Sequence, residues 1–293
     1  MAEPKRVVTD TMIGLKLPDY ARLSSRVATV LGHNPGPFTG PGTNTYIVGT
    51  GRRPVLLDTG IGVPKWAELL PLGLRELAGT DQLEKIVLTH AHQDHIGGVK
   101  DATRLFGRLE VIKKPWPQPG PDDAACTPIS IIDDGSVVAT EGATLQAVFT
   151  PGHAPDHLCY YLVEEKALFT GDVILGAGTT IIPDGTGDLG QYMNSLRRLL
   201  DLDVEIIYPA HGPVIRNAKQ KIREYIAHRE LRERQVLGAI SDTALEVTAI
   251  VKRIYTDVPE FLHPAAAQSV RSHLKKLQNE GRVVEHENHW RLN

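Results

Sequence analysis

One short segment constrains this chain more than its composition does. Residues 89–98 read THAHQDHIGG and directly follow the apolar run KIVL. Three imidazoles and a carboxylate between positions 90 and 95 cannot all be buried without partners, because each buried polar group needs compensation. Imidazole and carboxylate are preferred zinc ligands, and a loop at a strand end can direct closely spaced side chains toward two ions. The segment therefore predicts a metal site at the end of a strand.

Three further segments each place one metal-ligand type of residue after a predicted strand. They are FTPGHAPDH with His153, ALFTGDVILG with Asp172, and IIYPAHGPVI with His211. Each residue is flanked by glycine at a strand-to-loop junction, which is where α/β scaffolds build their sites. Taken singly, each is more commonly a structural residue than a ligand. Together with the first segment they form a set of ligand residues: His90, His92, Asp94, His95, His153, Asp172 and His211.

The rest of the chain predicts an α/β or α+β domain followed by a smaller helical one. Short β-branched runs broken by Gly and Pro alternate with helical spacing up to about residue 214. A charged helix is then predicted over 217–237, two more helices over 243–255 and 265–280, and a turn with two short strands in GRVVEHENHWRLN. This order is typical of a winged helix. We expect a catalytic domain over 1–215, a linker helix over 216–239 and a winged-helix-like domain over 240–293.

The order H-x-H-x-D-H, histidine, aspartate, histidine resembles the metallo-β-lactamase superfamily over essentially the whole chain. The resemblance implies a four-layer αββα sandwich and a site for two Zn²⁺ ions. It assigns one ion to His90, His92 and His153, and the other to Asp94, His95 and His211, with Asp172 bridging both. It also makes Asp58, in PVLLDTG, a supporting residue that orients the metal-binding loop without binding metal itself.

Several segments resemble one branch of that superfamily, which contains β-lactamase-like endoribonucleases and fungal polyketide thioesterases. These segments are NPGPFTGPGTNTYIVGTG, QYMNSLRRLL and YPAHGPVI, together with the C-terminal winged helix. The resemblance implies a hydrolase in which two zinc ions share a hydroxide that attacks a phosphoryl or carbonyl centre. We expect either a single-stranded RNA or a small acyl ester or thioester as substrate, with promiscuous esterase or β-lactamase activity as an alternative.

Catalytic roles beyond metal binding are less determined by the sequence. Asp94 or Asp172 could relay a proton, although both are expected ligands. His157, four residues after His153, is a candidate proton donor, and the alternative is a hydrogen bond that supports the site. On the resemblance alone, Asn44 and Thr45 are expected to line the substrate pocket. Trp116 is the aromatic residue that we expect near the substrate.

Charge and composition bear on partners and location. Residues 220–293 contain 12 basic and 10 acidic residues, so we expect the C-terminal module to shape substrate access and not to bind specific duplex DNA. A non-enzymatic alternative is a winged-helix regulator with a degenerate hydrolase domain. No apolar run approaches the roughly 20 residues of a membrane span. With two cysteines and no visible targeting peptide, we expect a cytoplasmic protein without a membrane partner. The oligomeric state stays open.

Overall fold

The computed structural model describes residues 12, 14–256, 258–260 and 263–293. Contacts between Cα atoms divide the chain into two compact units. The first unit consists of Met1–Phe149, Asp156–Thr180 and Asp203–Ala218. The second unit consists of Thr150–Pro155, Ile181–Leu202 and Lys219–Asn293. These units interleave along the chain, so they do not follow the predicted boundaries at 215 and 239, which stay predictions.

The first unit contains a seven-stranded sheet whose strands lie in chain order. Its strands are β1 (Tyr20–Arg22), β2 (Val27–Leu31), β3 (Asn44–Val48), β4 (Val55–Leu57), β5 (Lys85–Val87), β6 (Glu110–Lys113) and β7 (Ile129–Ile131). The strands from β1 to β4 pair antiparallel, and those from β4 to β7 pair parallel. The carboxyl ends of β4 and β5 therefore meet at one edge of the sheet, where Asp58 and His90 follow.

The first unit also contains a five-stranded sheet with the order β12-β11-β10-β9-β8. Its strands are β8 (Val137–Thr140), β9 (Ala143–Phe149), β10 (Leu158–Leu162), β11 (Ala167–Gly171) and β12 (Ile206–Pro209). All pairs are antiparallel except β11 with β12, which is parallel. The parallel pair brings Asp172 and His211, which follow β11 and β12, to the same end of the sheet.

The two sheets share one apolar core. Both contribute fully buried side chains to it, and the ring of Tyr46 in β3 contacts that of Phe169 in β11 edge-on at 5.0 Å. The other face of the first sheet is covered by the helices α1 (Pro64–Gly73) and α3 (Val99–Phe106), with α2 (Gln93–Ile96) between them in the chain. Helix α1 begins at a proline, whose missing N–H costs nothing in the first turn, and buries Trp66 completely.

Among the described residues, the second unit contains four helices and a small wing. Its elements are α4 (Leu189–Asp201), α5 (Ala218–Ala239), α6 (Val247–Ile254), α7 (His263–Asn279), β13 (Val283–His286) and β14 (His289–Leu292). The last two form an antiparallel hairpin, and with α6, α7 and the end of α5 they enclose a separate apolar core. The predicted helices and strands after residue 216 are all present, within a few residues. None of the described helices combines the length and the apolar character that a membrane span requires.

Candidate metal centre

The ligand segment leaves β5 and enters a short helix. Helix α2 begins at Gln93, and Gly97 and Gly98 separate it from α3. Glycine is required at position 98 because a Cβ there would lie 2.1 Å from the backbone O of Thr59. This close approach packs the ligand segment against the chain that follows β4. Asp94 and His95 consequently lie on the first turn of a helix and not in an extended loop.

Asp58 organises the buried base of the site. It adopts a left-handed backbone conformation (φ 58°), and its side chain is only 1% exposed. One carboxylate oxygen accepts the backbone N–H of Thr89 at 2.8 Å. The other accepts the hydroxyl of Thr89 at 2.9 Å and Nδ1–H of His95 at 2.8 Å. The bond to His95 fixes the ring so that, in its neutral form, Nε2 carries the lone pair. These contacts suit the orienting role that the resemblance assigns to Asp58, and that role stays a prediction.

The Nε2 atom of His95 points at a cluster of charged groups within the first unit. It lies 3.4 Å from Oδ1 of Asp172 and 3.6 Å from Oδ2 of Asp94. Nε2 of His211 lies 3.1 Å and 3.3 Å from the same two oxygens. Asp94, His95 and His211 form a group whose ligand atoms all lie within 4.8 Å of one another. The structure therefore brings together the three residues predicted for one metal ion, with Asp172 beside them.

The charges of this cluster favour a cation. Burial lowers the pKa of His211, but the carboxylates of Asp172 and Asp94 outweigh it and raise that pKa to about 9. Burial likewise lowers the pKa of His95, yet the same carboxylates raise it well above its usual value. Burial raises the pKa of Asp94, and the histidines overcome this and hold it at about 2. Without a metal, protons on His95 and His211 supply the positive charge that the carboxylates require.

A second group of ligand type within the first unit contains His90, His92 and Asp172, whose ligand atoms also lie within 4.8 Å of one another, and the resemblance adds His153 to it as a prediction. Nε2 of His90 and Nδ1 of His92 face each other at 2.9 Å. His90 is fully buried, and its Nδ1 lies 3.0 Å from the hydroxyl of Thr89. His153 lies on 150–155, where its Nδ1 donates to the backbone O of Ile181 at 2.7 Å. That bond leaves Nε2 of His153 as the ligand atom.

The residues present fit metal ions. Nε2 of His95 is buried and has no hydrogen-bond partner among the described residues. Burial of an unsatisfied polar atom costs free energy, and a bound cation would remove that cost. Within the first unit the two groups offer six residues with nitrogen and oxygen donors and no thiolate. Such a donor set suits Zn²⁺ and also accommodates iron or manganese. The histidine Nδ1 atoms held by Asp58 and by Ile181 are the outer hydrogen bonds typical of metal-binding imidazoles.

His157 does not have the environment of a proton donor. Its side chain is fully buried, and its Nε2 accepts the backbone N–H of Asp172 at 3.2 Å. A nitrogen that accepts this bond carries no proton to donate. Gly171 makes room for the ring, since a Cβ there would lie 2.5 Å from Nε2 of His157. The contacts correct the proton-donor assignment and match the alternative, in which His157 positions the backbone that carries Asp172.

Asn44 and Thr45 were expected to line the substrate pocket, and their contacts point inward instead. Thr45 is fully buried, donates to the backbone O of Val30 and accepts the indole N–H of Trp66. Asn44 is 6% exposed and donates to the backbone O atoms of Pro209 and Gly212, on either side of His211. Thr45 is therefore unavailable to a substrate, and Asn44 positions the His211 turn. The sequence offered no signal for this, because both roles depend on strand pairing.

Two functional features were missed at the sequence level. The hydroxyl of Thr89 contacts both Asp58 and His90. Its position directly before the first histidine is the sequence feature that could have indicated this role. The fully buried Lys113 pairs with the fully buried Asp156 at 2.5 Å and with Asp122 at 2.7 Å. Asp156 lies three residues after His153, so this ion pair anchors the chain directly after the segment 150–155. A lysine at the end of an ordinary strand gives no sequence signal of such burial.

Comparison with known protein families identifies the architecture. The family description "Metallo-beta-lactamase superfamily" matches residues 38–211, more than half of the chain. The chain is a member of the metallo-β-lactamase superfamily. The description "Beta-lactamase associated winged helix domain" matches residues 247–290 of this superfamily member. The predicted family, its hydrolase class and its winged helix are thereby confirmed.

Relatives and solved structures agree with this membership. The superfamily member is 43% identical to a "Beta-lactamase-like protein 2 homolog" of Caenorhabditis elegans, over 90% of this chain and 88% of the relative. It is 43% identical to an "Atrochrysone carboxyl ACP thioesterase" of Claviceps purpurea, over 82% of this chain and 75% of the relative. A metallo-beta-lactamase family protein of Thermus thermophilus superposes with a TM-score of 0.76 at 22% identity, covering 93% of this chain and 100% of that one. The protein TTHA1623, solved in a di-iron-bound form, superposes with a TM-score of 0.52 at 30% identity, covering 66% and 96%.

Proposed function

We propose that this superfamily member hydrolyses acyl thioesters with two divalent metal ions, of which zinc is the expected one. The observation that carries the proposal is the pair of ligand groups in the first unit, which together present six nitrogen- and oxygen-bearing side chains, with His153 as the predicted seventh ligand. A relative 43% identical to this chain is named a thioesterase of an acyl carrier protein, which favours an acyl substrate. The di-iron form of the 30%-identical TTHA1623 supports a site for two ions and keeps iron open beside zinc.

The protein's contribution to this chemistry is orientation and charge. When bound, two divalent ions would lower the pKa of a water toward neutrality and polarise the carbonyl under attack. Asp58 holds the His95 ring so that Nε2 faces the site, and Ile181 does the same for His153. Asp172 would bridge the two groups, and its backbone is held by His157 and by the hydroxyl of Thr180. Asp94, whose side chain is 22% exposed, is the carboxylate best placed to exchange a proton with solvent.

Cleavage of single-stranded RNA is the second candidate, and one contact favours it. The ring of Trp116 lies 6.1 Å from that of His92, so an aromatic face stands beside the proposed site, where a base could stack. A phosphate backbone also requires cations near the cleft. Lys113, close to Trp116 in the chain, is buried against Asp156 and Asp122 and is therefore not available to a phosphate. This pairing is why we place the thioester first.

The test compares four substrates on zinc-loaded protein whose metal content is measured. They are an acyl thioester, a nitrophenyl ester, a single-stranded RNA oligomer and a chromogenic cephalosporin. We expect about two metal ions per chain and the highest kcat/KM on the thioester. Asp172→Asn should lower turnover of every substrate more than about 100-fold, beyond the usual loss for an outer hydrogen bond, because the amide is a weak bridging ligand.

A matched control is Asp203→Asn, which removes an exposed carboxylate that pairs with Lys166 at 2.8 Å. It should leave metal content and turnover unchanged. A protein that neither carries nor takes up metal would contradict the metal-dependent mechanism itself. Preferred cleavage of RNA, with slow thioester turnover, would replace the substrate assignment and leave the mechanism standing.

A further inference from the structure

The loop between β6 and β7, residues 114–128, carries an aromatic side chain to the metal centre of the first unit. The indole ring of Trp116 lies 6.1 Å from the imidazole ring of His92, and the two planes are tilted by 48°. Aromatic rings whose centroids lie about 4.5–7 Å apart are in contact. Trp116 is only partly buried, so another molecule can reach part of the indole. It therefore offers an aromatic surface directly beside a predicted metal ligand.

The backbone around Trp116 is restrained on both sides. Pro115 and Pro117 flank it in the chain. Proline fixes its own φ at about −65° and also holds the residue before it in an extended conformation, so few backbone conformations are open to Trp116. The N–H of Trp116 also donates to Oδ2 of Asp122 at 2.8 Å, which ties it across the loop. The position of the indole is consequently set before any substrate binds.

A buried lysine holds Asp122 in turn. Nζ of Lys113, whose side chain is fully buried, lies 2.7 Å from Oδ1 of Asp122 and 2.5 Å from Oδ2 of Asp156. The two carboxylate oxygens of Asp122 are thus divided between Lys113 and the N–H of Trp116. Asp122 also lies in a short 3₁₀ helix (Pro121–Ala125) whose last residue packs in the core that the first sheet forms with α1 and α3. Lysine is seldom buried unless it is paired, and this pairing gives the loop one position relative to β6.

The charges around the indole favour an uncharged ligand group. Lys113 is occupied by its two carboxylates, and Lys114 pairs with Asp133 at 2.7 Å while its Nζ lies 4.6 Å from the centroid of the Phe149 ring. Both cations that precede Trp116 in the chain are therefore already compensated. A nucleic acid that stacks a base on an aromatic ring also needs cations for its phosphates. A flat, uncharged group needs only the face of the ring.

We propose that Trp116 is a specificity-determining residue that stacks on the acyl group of the substrate and favours planar acyl groups over saturated ones. Asp122, held by Lys113, is its positioning residue. The inference rests on the proposed function, in which the acyl carbonyl is attacked at the metal centre. The indole beside His92 is placed to contact the group bonded to that carbonyl carbon. Stacked aromatic pairs gain affinity beyond the area that they bury, and a saturated ring does not provide this gain.

The test uses the zinc-loaded full chain and two thioesters of N-acetylcysteamine, whose acyl groups are benzoyl and cyclohexanecarbonyl. The two rings are similar in size and differ in planarity. Trp116→Leu keeps an apolar side chain and should lower the ratio of kcat/KM for the benzoyl over the cyclohexyl substrate by about threefold to tenfold, mainly through KM. Metal content should stay unchanged. An unchanged ratio, or an equal loss on both substrates together with lost metal, would show that Trp116 only packs against His92.

Asp122→Asn tests the positioning role. An amide has one accepting oxygen, so the side chain loses either Lys113 or the N–H of Trp116, and the ratio should fall in the same direction by at least about twofold. Asp123→Asn is the matched control, because it changes the neighbouring, exposed carboxylate and should leave the ratio unchanged. Circular dichroism checks that each variant folds. A folded Asp122→Asn protein with the wild-type ratio would overturn the positioning role, and if it does not fold, Trp116→Leu still decides the specificity.

A binding measurement separates this inference from the proposed function. The thioether S-phenacyl N-acetylcysteamine has a CH₂ between carbonyl and sulfur, so it cannot be hydrolysed as a thioester. It should quench tryptophan fluorescence, and because Trp66 and Trp290 are buried, Trp116→Leu should abolish the quenching. Such quenching in a protein that hydrolyses neither thioester would refute the proposed function and leave the Trp116 site standing.

Three results would overturn the inference itself. One is thioester turnover whose acyl preference does not depend on Trp116, which leaves the proposed function intact. Another is the absence of quenching by the thioether, or quenching that persists in Trp116→Leu. The third is a single-stranded RNA oligomer that quenches Trp116 at lower concentration than the thioether does, which would assign the indole to a base.

Discussion

Asp58 concentrates three hydrogen bonds on one buried carboxylate, and that is the reason the ligand segment has a defined shape. It holds the backbone and hydroxyl of Thr89 and the imidazole of His95 at once. The left-handed conformation of Asp58 aims this carboxylate back under the segment. Asparagine adopts that conformation as readily as aspartate does, so substitution by asparagine tests the hydrogen bonds without straining the backbone.

Asp58→Asn should therefore retain the fold and lose between about 10-fold and 100-fold in metal affinity or activity. An amide presents an N–H₂ where one carboxylate oxygen now accepts, so at least one donor from His95 or Thr89 would face another donor. Metal affinity is measured by competition with a chromophoric chelator and folding by circular dichroism. Wild-type metal affinity in this variant would show that Asp58 does not orient His95.

Metal binding should release protons, because protons occupy the histidines of the metal-free site. Asp172 and Asp94 raise the pKa of His211 to about 9 and that of His95 well above its usual value, so both rings are charged at neutral pH. A metal ion binds only neutral imidazole, so its uptake at pH 7 should displace up to about two protons from this pair. Metal affinity should then increase as the pH rises from 7 to 9.

Calorimetric titration of zinc into metal-free protein, in buffers of different ionisation enthalpy, counts these protons directly. His211→Ala removes one of the two and should lower the count by about one. A count near zero at pH 7 in the unmodified protein would contradict the proton-filled site.

At the scale of elements, the strand ends were predictable and their tertiary partners were not. The apolar runs before His90, Asp172 and His211 identified β5, β11 and β12 correctly, since burial on both faces leaves a plain hydrophobic signature. The pairing of β11 with β12 and the isolated bridge from Thr43 to His211 join positions far apart in the chain. Local patterns carry no information on such contacts, which is why Asn44 and Thr45 were expected at the substrate pocket and the two alternatives for His157 stayed open.

The segment 150–155 depends on a glycine that no local pattern explains. Gly152 has φ 129°, and a Cβ there would lie 2.3 Å from the backbone N of Tyr192 in α4. Its backbone O accepts the N–H of Asp188, and the neighbouring Pro151 accepts the hydroxyl of Ser195. The start of α4 thus holds the segment that carries His153.

Gly152→Ala should displace this segment and weaken binding of the ion that the resemblance assigns to His90, His92 and His153, with little effect on the group of Asp94, His95 and His211. Both the positive φ and the backbone clash oppose any side chain at position 152. We expect metal content to fall from about two ions per chain toward one. Gly185→Ala is the matched control, because Gly185 also has a positive φ (86°) but no atom within 4 Å of the added Cβ. Full metal content with unchanged turnover in Gly152→Ala would contradict the proposed role of 150–155.

At the scale of the whole molecule, the order of the domains was readable from composition, but the compact units were not. The change to charged helices after residue 213 correctly located the winged helix, whose family match covers residues 247–290. The inclusion of 150–155 and 181–202 in the second unit arises from backbone contacts such as those of Gly152 with Asp188. Sequence patterns assign each segment to the same domain as its neighbours in the chain. They therefore do not show that 150–155 and 181–202 belong to the second unit.

The winged helix raises the question of DNA binding, and its charges argue against it. Arg271 and Lys275 on α7 are exposed, but Lys276 is paired with Glu233 and Glu280. The exposed Glu285 and Glu287 lie in the wing hairpin. Proteins that bind DNA specifically neutralise about 6–10 phosphates, and the logarithm of their affinity falls steeply with the logarithm of salt concentration. About two available cations on α7 would give a slope near −2.

We therefore predict that a duplex of about 20 base pairs shows no saturable binding to the full chain at about 150 mM salt. Fluorescence anisotropy at about 50 and 150 mM salt measures both the affinity and the slope. Glu280→Lys with Glu285→Lys adds four units of charge to this surface, so it should bind measurably and show that the assay can detect such an interaction. Arg271→Ala with Lys275→Ala should leave hydrolysis intact. Tight duplex binding by the unmodified chain, lost in that second variant while turnover persists, would favour the regulator hypothesis over a purely enzymatic role.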